Sequence, residues 1–164
     1  MAQAGIALTI DIKRGSGTKA SILAKLFPDA LEFAVRQVAD WSKKNIIKLT
    51  PIQYGGARSS WVSNHLAPFL YSVESSVGKG AKHTKYLEEG TGLWGKYGTR
   101  VVPKNGKYLI FPIIKGNTIV AWVKTTSTKG QKGNFMVART QRDAKPKLAE
   151  AIKRQVIQKW GNLT

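Results

Sequence analysis

The chain has 164 residues, of which 42% are hydrophobic and 22% charged, and these proportions predict one globular domain covering residues 1–164. The 27 lysine and arginine residues against nine acidic ones give a net charge of +18, which favours a polyanion or an acidic protein as partner. The absence of cysteine excludes disulfides, cysteine-ligated zinc and thiol catalysis, and we expect neither a secretion signal nor a membrane-spanning segment.

The first two predicted elements are a strand and a long helix. Apolar residues at every second position from Ile6 to Ile12 predict a strand with one buried face. The Gly-, Ser- and Lys-rich segment 13–20 then predicts a flexible link, so strand and link together fill the first 20 residues. Apolar residues at helical spacing predict a helix from Pro28 to the vicinity of Pro51.

Three further strands are predicted in the middle of the chain. Apolar, β-branched and aromatic residues run or alternate over 68–77, 108–114 and 118–124. The sequence Lys115-Gly116-Asn117 separates the last two strands and predicts a hairpin turn. A short helix is expected at 83–89, immediately before a glycine-rich stretch.

The chain is predicted to close with a loop and a second long helix. The polar segment 125–133, with two glycines and two lysines, predicts a flexible basic loop. An apolar stripe over 137–160 predicts a helix that Asn134 or Thr140 caps and that Pro146 breaks or kinks. The order of elements indicates an α+β fold: a mostly antiparallel sheet of about four strands with two long helices packed on one face.

No pattern in the sequence supports catalysis. The segment Gly90–Lys96 matches two phosphate-loop patterns in part, but a tyrosine follows the lysine and no helix is predicted after it, so we interpret it as a structural loop. His65 and His83 lack carboxylates at metal-site spacing, and the adjacent Glu88 and Glu89 diverge on a helix. We therefore predict a protein that is not an enzyme, without catalytic residues, cofactor or metal.

Positive charge is concentrated in one part of the chain, because no acidic residue occurs between Glu89 and Asp143. Eight basic residues of this interval are candidates for contact with DNA or a partner: Lys96, Arg100, Lys104, Lys107, Lys115, Lys124, Lys129 and Lys132. Aromatic residues among them could instead form a base-stacking platform, although their strand pattern predicts that most lie in the core. These aromatic residues are Trp94, Tyr97, Tyr108, Phe111 and Trp122.

A series of short segments follows the first long helix in a distinctive order. The segments are Gly56–Ser60, Tyr86–Thr91, Val102–Lys104 with Lys107–Phe111, and Lys129–Gln131 leading to Phe135–Ala138. Across residues 27–161 this order resembles the tailed-bacteriophage neck proteins, the head–tail joining or tail-component family of long-tailed phages. In the second segment, Tyr86, Glu89, Gly90 and Thr91 correspond to the family's signature loop, Tyr-x-x-x-Glu-x-Gly-Thr, with the tyrosine nearer to the Glu-x-Gly-Thr end than is usual in the family.

The resemblance implies a structural protein of the virion neck. Such a protein forms a homo-oligomeric ring between the head-completion or adaptor proteins and the tail terminator or tail tube, and double-stranded DNA crosses the ring without sequence-specific contacts. It is assembled in the host cytoplasm and is located at the head–tail junction of the finished virion. Exposed sheet edges are expected to make the ring contacts. A tail-completion or tail-terminator subunit and a non-specific basic nucleic-acid-binding protein are the alternatives.

Overall fold

The structure, a computed structural model, describes residues 7–11, 25–51, 56–76, 81–115 and 118–161. The predicted link 13–20 and residues 116–117 of the predicted hairpin turn lie outside the described residues. Contacts divide the chain into a terminal unit, Met1–Lys85 with Phe135–Thr164, and a central unit, Tyr86–Asn134. A single domain for residues 1–164 stays a prediction.

The described part of the chain contains five strands and four helices. In chain order they are β1 (Ala7–Asp11), α1 (Pro28–Leu49), α2 (Gly56–Ser59), β2 (Trp61–Ala67), β3 (Leu70–Ser75), α3 (Ala81–Glu89), β4 (Leu109–Lys115), β5 (Thr118–Thr125) and α4 (Met136–Gly161). A 3₁₀ turn at Gly92–Trp94 follows α3. None of these helices is long and apolar enough to cross a membrane.

Helix α1 is the central element of the terminal unit. A proline occupies its first turn, as predicted, and its end is closed where the backbone N–H of Thr50 donates to the Ile46 carbonyl at 2.8 Å. One face is buried at helical spacing and packs against β2, β3 and α4. The buried residues are Ala30, Leu31, Ala34, Val35, Val38, Ala39, Ser42 and Ile46. The predicted helix from Pro28 to the vicinity of Pro51 is thus confirmed.

The terminal unit contains an antiparallel sheet in the order β1-β3-β2. Strand β3 lies inside the predicted range 68–77, but Pro68 and Phe69 form the turn before it, with Phe69 at φ +63°. Strand β2 was not predicted. It begins at the buried Trp61, whose indole N–H donates to Thr50 Oγ1 at 3.1 Å and fastens the strand to the end of α1.

Helix α4 packs mainly on α1 and continues through Pro146, so a break at this residue is wrong, while the alternative, a kink, stays a prediction. Pro146 is exposed, and the Arg142 carbonyl that loses its intrahelical donor lies on a solvent-facing part of the helix where water can replace it. Thr140 is not a cap but a buried residue inside the helix, where its Oγ1 accepts a hydrogen bond from Asn45 Nδ2 at 2.9 Å.

The central unit contains the antiparallel pair β4–β5, which confirms the two predicted strands and their hairpin pairing. The single sheet of about four strands is wrong, because the described strands form one sheet of three and another of two. Sequence patterns identified the strands but not their pairing partners. The α+β class, antiparallel pairing and the packing of a long helix on a sheet are shown by the structure.

Candidate functional site

Two glycine-containing segments of the central unit are joined by backbone hydrogen bonds. We call residues 88–94 and 129–133 together the glycine clasp. The Thr91 N–H donates to the Gln131 carbonyl and the Leu93 N–H donates to the Lys129 carbonyl, each at 2.8 Å. The Gln131 N–H in turn donates to Thr91 Oγ1 at 3.0 Å. These bonds unite two motifs that lie about 40 residues apart in the sequence.

The clasp needs glycine because its two backbones approach each other closely. Gly92 and Gly130 have φ of +65° and +84°, a region that other residues rarely adopt. A Cβ on Gly92 would meet the Lys129 carbonyl, and a Cβ on Gly130 would meet the Thr91 carbonyl. Gly133 is packed equally closely against the Glu88 carbonyl. The segment 125–133, predicted as a flexible basic loop, is thus bonded to another part of the central unit, while its flexibility stays a prediction.

The signature-loop residues divide between the clasp and the surface. Gly90, with φ of +87°, ends α3 by donating its N–H to the Tyr86 carbonyl at 2.9 Å, and Thr91 lies in the clasp. The side chains of Tyr86 and Glu89 are exposed. The glycine-rich stretch then enters a 3₁₀ turn, whereas a phosphate loop leads into an α-helix whose N-terminus receives the phosphate. This geometry favours the structural interpretation of the loop.

All eight candidate basic residues are exposed, but only some of them are brought together. Lys107 and Lys124 converge on the ring of Tyr108, with their Nζ atoms 5.8 and 4.1 Å from its centroid. Lys132 Nζ lies 4.5 Å from the Trp94 ring centroid, and Lys96 lies over the neighbouring tyrosine. Within the described residues, the other four candidates make no such contact with an aromatic ring: Arg100, Lys104, Lys115 and Lys129.

The prediction that most of the aromatic residues of this region lie in the core is wrong. Trp94, Tyr97, Tyr108, Phe111 and Trp122 are between 38% and 80% exposed. The reason is that, among the described strands of the central unit, β4 and β5 pair only with each other and form a two-stranded ribbon, which shields less of each side chain than a larger sheet does. Every one of the buried hydrophobic residues lies in the terminal unit, and none lies among the described side chains of the central unit.

The β4–β5 ribbon is apolar on both faces. The pairs Phe111 with Val123 and Ile113 with Ala121 lie on one face, and the pair Pro112 with Trp122 lies on the other. Sequence reasoning predicted the strands but missed this exposed surface. The signal was present, because an uninterrupted apolar run such as Leu109–Ile114 indicates a strand that is covered on both faces.

A polar cluster in the terminal unit centres on Glu32 of α1. Its Oε2 accepts the Phe69 N–H at 2.7 Å, its Oε1 accepts the Tyr71 hydroxyl at 2.8 Å, and His65 Nε2 lies 3.2 Å from that same oxygen. Burial, and then the hydrogen bond to Glu32 and its negative charge, raises the pKa of Tyr71 above 10.0. The cluster fastens the β2–β3 turn to α1.

Known proteins and folds were compared with this chain, and neither family models, curated proteins nor solved structures gave a match. Across the residues that the structure describes, no three His, Cys, Asp or Glu side chains group closely enough to hold a metal. The resemblance to phage neck proteins therefore rests on the order of the motifs.

Proposed function

We propose that this chain is a non-enzymatic structural subunit of the neck of a long-tailed bacteriophage. Several copies form a ring that joins head to tail around the DNA channel. The observation that supports this is the composition of the central unit, which has eight exposed basic residues and no buried hydrophobic side chain among its described residues. A module that leaves its apolar side chains in water gains the missing burial when other chains cover it.

The glycine clasp supports the same proposal. Two segments that carried the family resemblance, Tyr86–Thr91 and Lys129–Gln131, prove to be neighbours bonded backbone to backbone. Motifs that merely coincide in order have no reason to meet in space, whereas motifs of one structural module do. In this proposal, the clasp fixes the central unit so that the basic and apolar side chains around it are presented in a constant arrangement.

Charge limits how such a ring meets DNA. Double-stranded DNA carries one charge per about 1.7 Å, so a 30 Å length holds about 18 phosphates. One copy with a net charge of +18 already balances that number, and a ring of several copies exceeds it. Part of the basic surface therefore faces DNA and the rest faces acidic neighbours, which are the head-completion or adaptor proteins and the tail terminator or tail tube. Seven of the eight candidates are lysines, whose flexible contacts let DNA slide.

The decisive experiment is a comparison of particles assembled with and without this chain. We expect DNA-filled heads and separate tails of normal length in its absence, and density for a ring at the head–tail junction in a cryo-EM reconstruction of complete particles. Tails of uncontrolled length would instead identify the tail-terminator alternative. Normal particles without the chain, or a junction without its density, would overturn the proposal.

Exposed aromatic residues among the lysines favour a second candidate, a non-specific nucleic-acid-binding protein. Bases can stack on exposed rings such as Trp94 and Trp122, at about 1–3 kcal/mol per base. This candidate requires the isolated chain to bind single-stranded DNA tightly at physiological salt, and the W94A and W122A substitutions to weaken that binding at least tenfold. Weak binding that neither substitution changes would eliminate it.

A further inference from the structure

One face of helix α4 is exposed along most of its length. Residues three or four apart lie on the same side of a helix, and one such series on α4 is exposed throughout. We call this series the outer face of α4, and it consists of Arg142, Pro146, Ala149, Lys153, Ile157 and Trp160. At 1.5 Å per residue it extends over about 27 Å. Two small residues lie between its cations, and two apolar side chains form its end.

The positive charge of α4 is not balanced by acidic residues of the helix. Seven basic and two acidic residues occur in α4, and each acidic one pairs with an arginine, Asp143 with Arg142 at 3.1 Å and Glu150 with Arg154 at 2.9 Å. In each pair one guanidinium nitrogen donates to the carboxylate, although the guanidinium fork can hold two oxygens in parallel. Lys153 forms no ion pair with a side chain that the structure describes. The outer face therefore has donors for anions of another molecule.

The apolar end of the outer face has a defined shape. Trp160 is 61% exposed, yet its ring lies against Phe27 with the ring centroids 6.1 Å apart. This contact limits the positions of the indole, so less conformational freedom is lost when a partner binds. Ile157 lines an open groove of about 470 Å³ together with Lys153 and Arg154. An apolar side chain placed in this groove would bring neighbouring carboxylates beside two cations.

The composition of the outer face favours an acidic protein over DNA or a second copy. The phosphate backbone of duplex DNA attracts cations but offers little apolar surface to Ile157 and Trp160. A second copy has only nine acidic residues, two of which already pair with arginines on its own α4. Three of the seven arginines of the chain lie on α4, whereas seven of the eight basic candidates in the central unit are lysines. The planar guanidinium suits a carboxylate that is held in place.

We propose that the outer face of α4 docks an acidic, amphipathic segment of a neighbouring virion protein. Carboxylates of that segment pair with Arg142 and Lys153, and its apolar side chains pack on Ile157 and Trp160. The small residues between the two cations let the segment approach the helix closely. This inference rests on the proposed function, because that function supplies the neighbour. It assigns α4 to the acidic neighbours and the lysines of the central unit to DNA.

The first test compares two charge variants of the full chain that match in residue type. Arg142→Gln with Lys153→Gln changes the outer face, and Arg100→Gln with Lys104→Gln removes the same charges from exposed positions of the central unit. The probes are a synthetic amphipathic helical peptide of glutamate and leucine, and a labelled DNA duplex. Fluorescence anisotropy measures both affinities at physiological salt, and circular dichroism checks that both variants are folded.

We expect the outer-face charge variant to bind the peptide at least tenfold more weakly and to bind the duplex within threefold of the wild type. The central-unit variant should show the reverse. If the outer-face variant binds the peptide like the wild type, the inference is wrong. If it loses as much duplex binding as the central-unit variant, α4 faces DNA and the inference is also wrong. In both cases the proposed function stands.

A second pair of variants tests the apolar anchors. Ile157→Ser with Trp160→Ser changes the outer face, and Ile110→Ser with Trp122→Ser changes residues of the same types and similar exposure, 60% to 64%, on the β4–β5 ribbon. The wild type should prefer the peptide to a polyglutamate of equal net charge at least tenfold. We expect the outer-face variant to lose this preference and the ribbon variant to keep it. A wild type without the preference would show attraction by charge alone, which overturns the inference.

A measurement on complete particles identifies what covers the outer face. Because the chain has no cysteine, Ala149→Cys places a single thiol there, to which a maleimide–benzophenone cross-linker is attached before assembly. We expect illumination to link it to an acidic segment of a different virion protein. Links to DNA or to another copy of this chain, or no link at all, would overturn the inference although the proposed function stands. Particles that assemble normally without the chain would overturn the proposed function and the inference with it.

Discussion

Gly130 and Gly106 adopt the same left-handed backbone conformation in different surroundings. Their φ angles are +84° and +91°, but a Cβ on Gly130 would meet the Thr91 backbone, whereas a Cβ on Gly106 would have nothing within 4 Å. We expect Gly106→Ala to cost about 1 kcal/mol of unfolding free energy, from conformation alone. Gly130→Ala should cost roughly 2–4 kcal/mol, because the clasp must also separate.

Chemical denaturation measures the two unfolding free energies, and amide hydrogen exchange locates the change. In Gly130→Ala, the amides of Thr91, Leu93 and Gln131 should lose protection, since these groups donate the clasp hydrogen bonds. Equal losses of unfolding free energy in the two variants would contradict the expectation that a Cβ on Gly130 forces the two segments of the clasp apart.

Tyr71 predicts a dependence of stability on alkaline pH. Its pKa is above 10.0 in the folded protein, because of burial first and then because of Glu32, so the folded state keeps a proton that the unfolded state loses. Its contribution to stability is therefore complete below about pH 10 and is lost as the pH rises through the folded pKa. Tyr71→Phe cannot ionise and has no such loss.

The measurement is the difference in unfolding free energy between wild type and Tyr71→Phe at pH 7 and above pH 10. We expect the wild type to be more stable by about 1.5–3 kcal/mol at pH 7, since the hydroxyl donates to a carboxylate, and this advantage should shrink at alkaline pH. Tyr97→Phe, at a highly exposed site, serves as the control and should match the wild type at both pH values. A difference that stays constant across the pH range would contradict the assigned cause.

Among the elements, α4 contains a residue, Pro146, whose replacement by alanine should increase the stability of the folded protein. Pro146 lies in the interior of the helix on an exposed position, where a proline is about 3 kcal/mol less favourable than alanine. Pro146→Ala restores an N–H donor for the Arg142 carbonyl, and we expect a gain of roughly 1–3 kcal/mol, measured by thermal unfolding. Lys145→Ala, at the neighbouring exposed position, should stay within about 0.5 kcal/mol of the wild type. A loss of stability in Pro146→Ala would mean that packing on α1 requires a bend at this residue.

The elements with a regular period could be predicted from the sequence, and those without one could not. Helix α1 was predicted because apolar residues recur at helical spacing from Leu31 to Leu49, and most of them lie on its buried face. Strand β2 was missed because Ser63, Asn64 and His65 interrupt any alternation of apolar residues. Its most informative residue is Trp61, whose partner Thr50 belongs to another element and is identified only by the folded chain.

The candidate site shows the same division between local and long-range information. The glycine-rich stretch after α3 was interpreted as a structural loop from local pattern alone, because no helix was predicted after it, and the 3₁₀ turn at Gly92–Trp94 favours that interpretation. That Gly92 lies against Lys129 depends on a contact between distant segments, which no local pattern encodes. The exposure of Trp122 was missed for a different reason: an apolar strand shows that it must be covered, but not whether its own chain covers it.

For the chain as a whole, the net charge of +18 predicts that salt changes the association between copies and the binding to DNA in opposite directions. Copies repel one another, so added salt screens the repulsion and should strengthen their association. Binding to duplex DNA releases counterions, so added salt should weaken it, with a slope of log affinity against log salt of about −0.9 per phosphate contacted. The two equilibria should thus respond to salt with opposite signs.

The double variant Lys104→Glu with Lys129→Glu tests this opposition, because both lysines are exposed in the acid-free interval. It should associate more strongly than the wild type at low salt, and the two proteins should converge at about 1 M salt, where the Debye length is about 3 Å. Its DNA affinity should fall, with a salt slope shallower by about 2 if both lysines contact phosphates. Lys43→Glu with Lys48→Glu changes the same charge on α1 and controls for net charge alone: it should reproduce the stronger association but leave the DNA slope unchanged. Sedimentation and fluorescence anisotropy with a labelled duplex measure the two equilibria, and equal DNA slopes for both variants would show that the central unit does not face DNA.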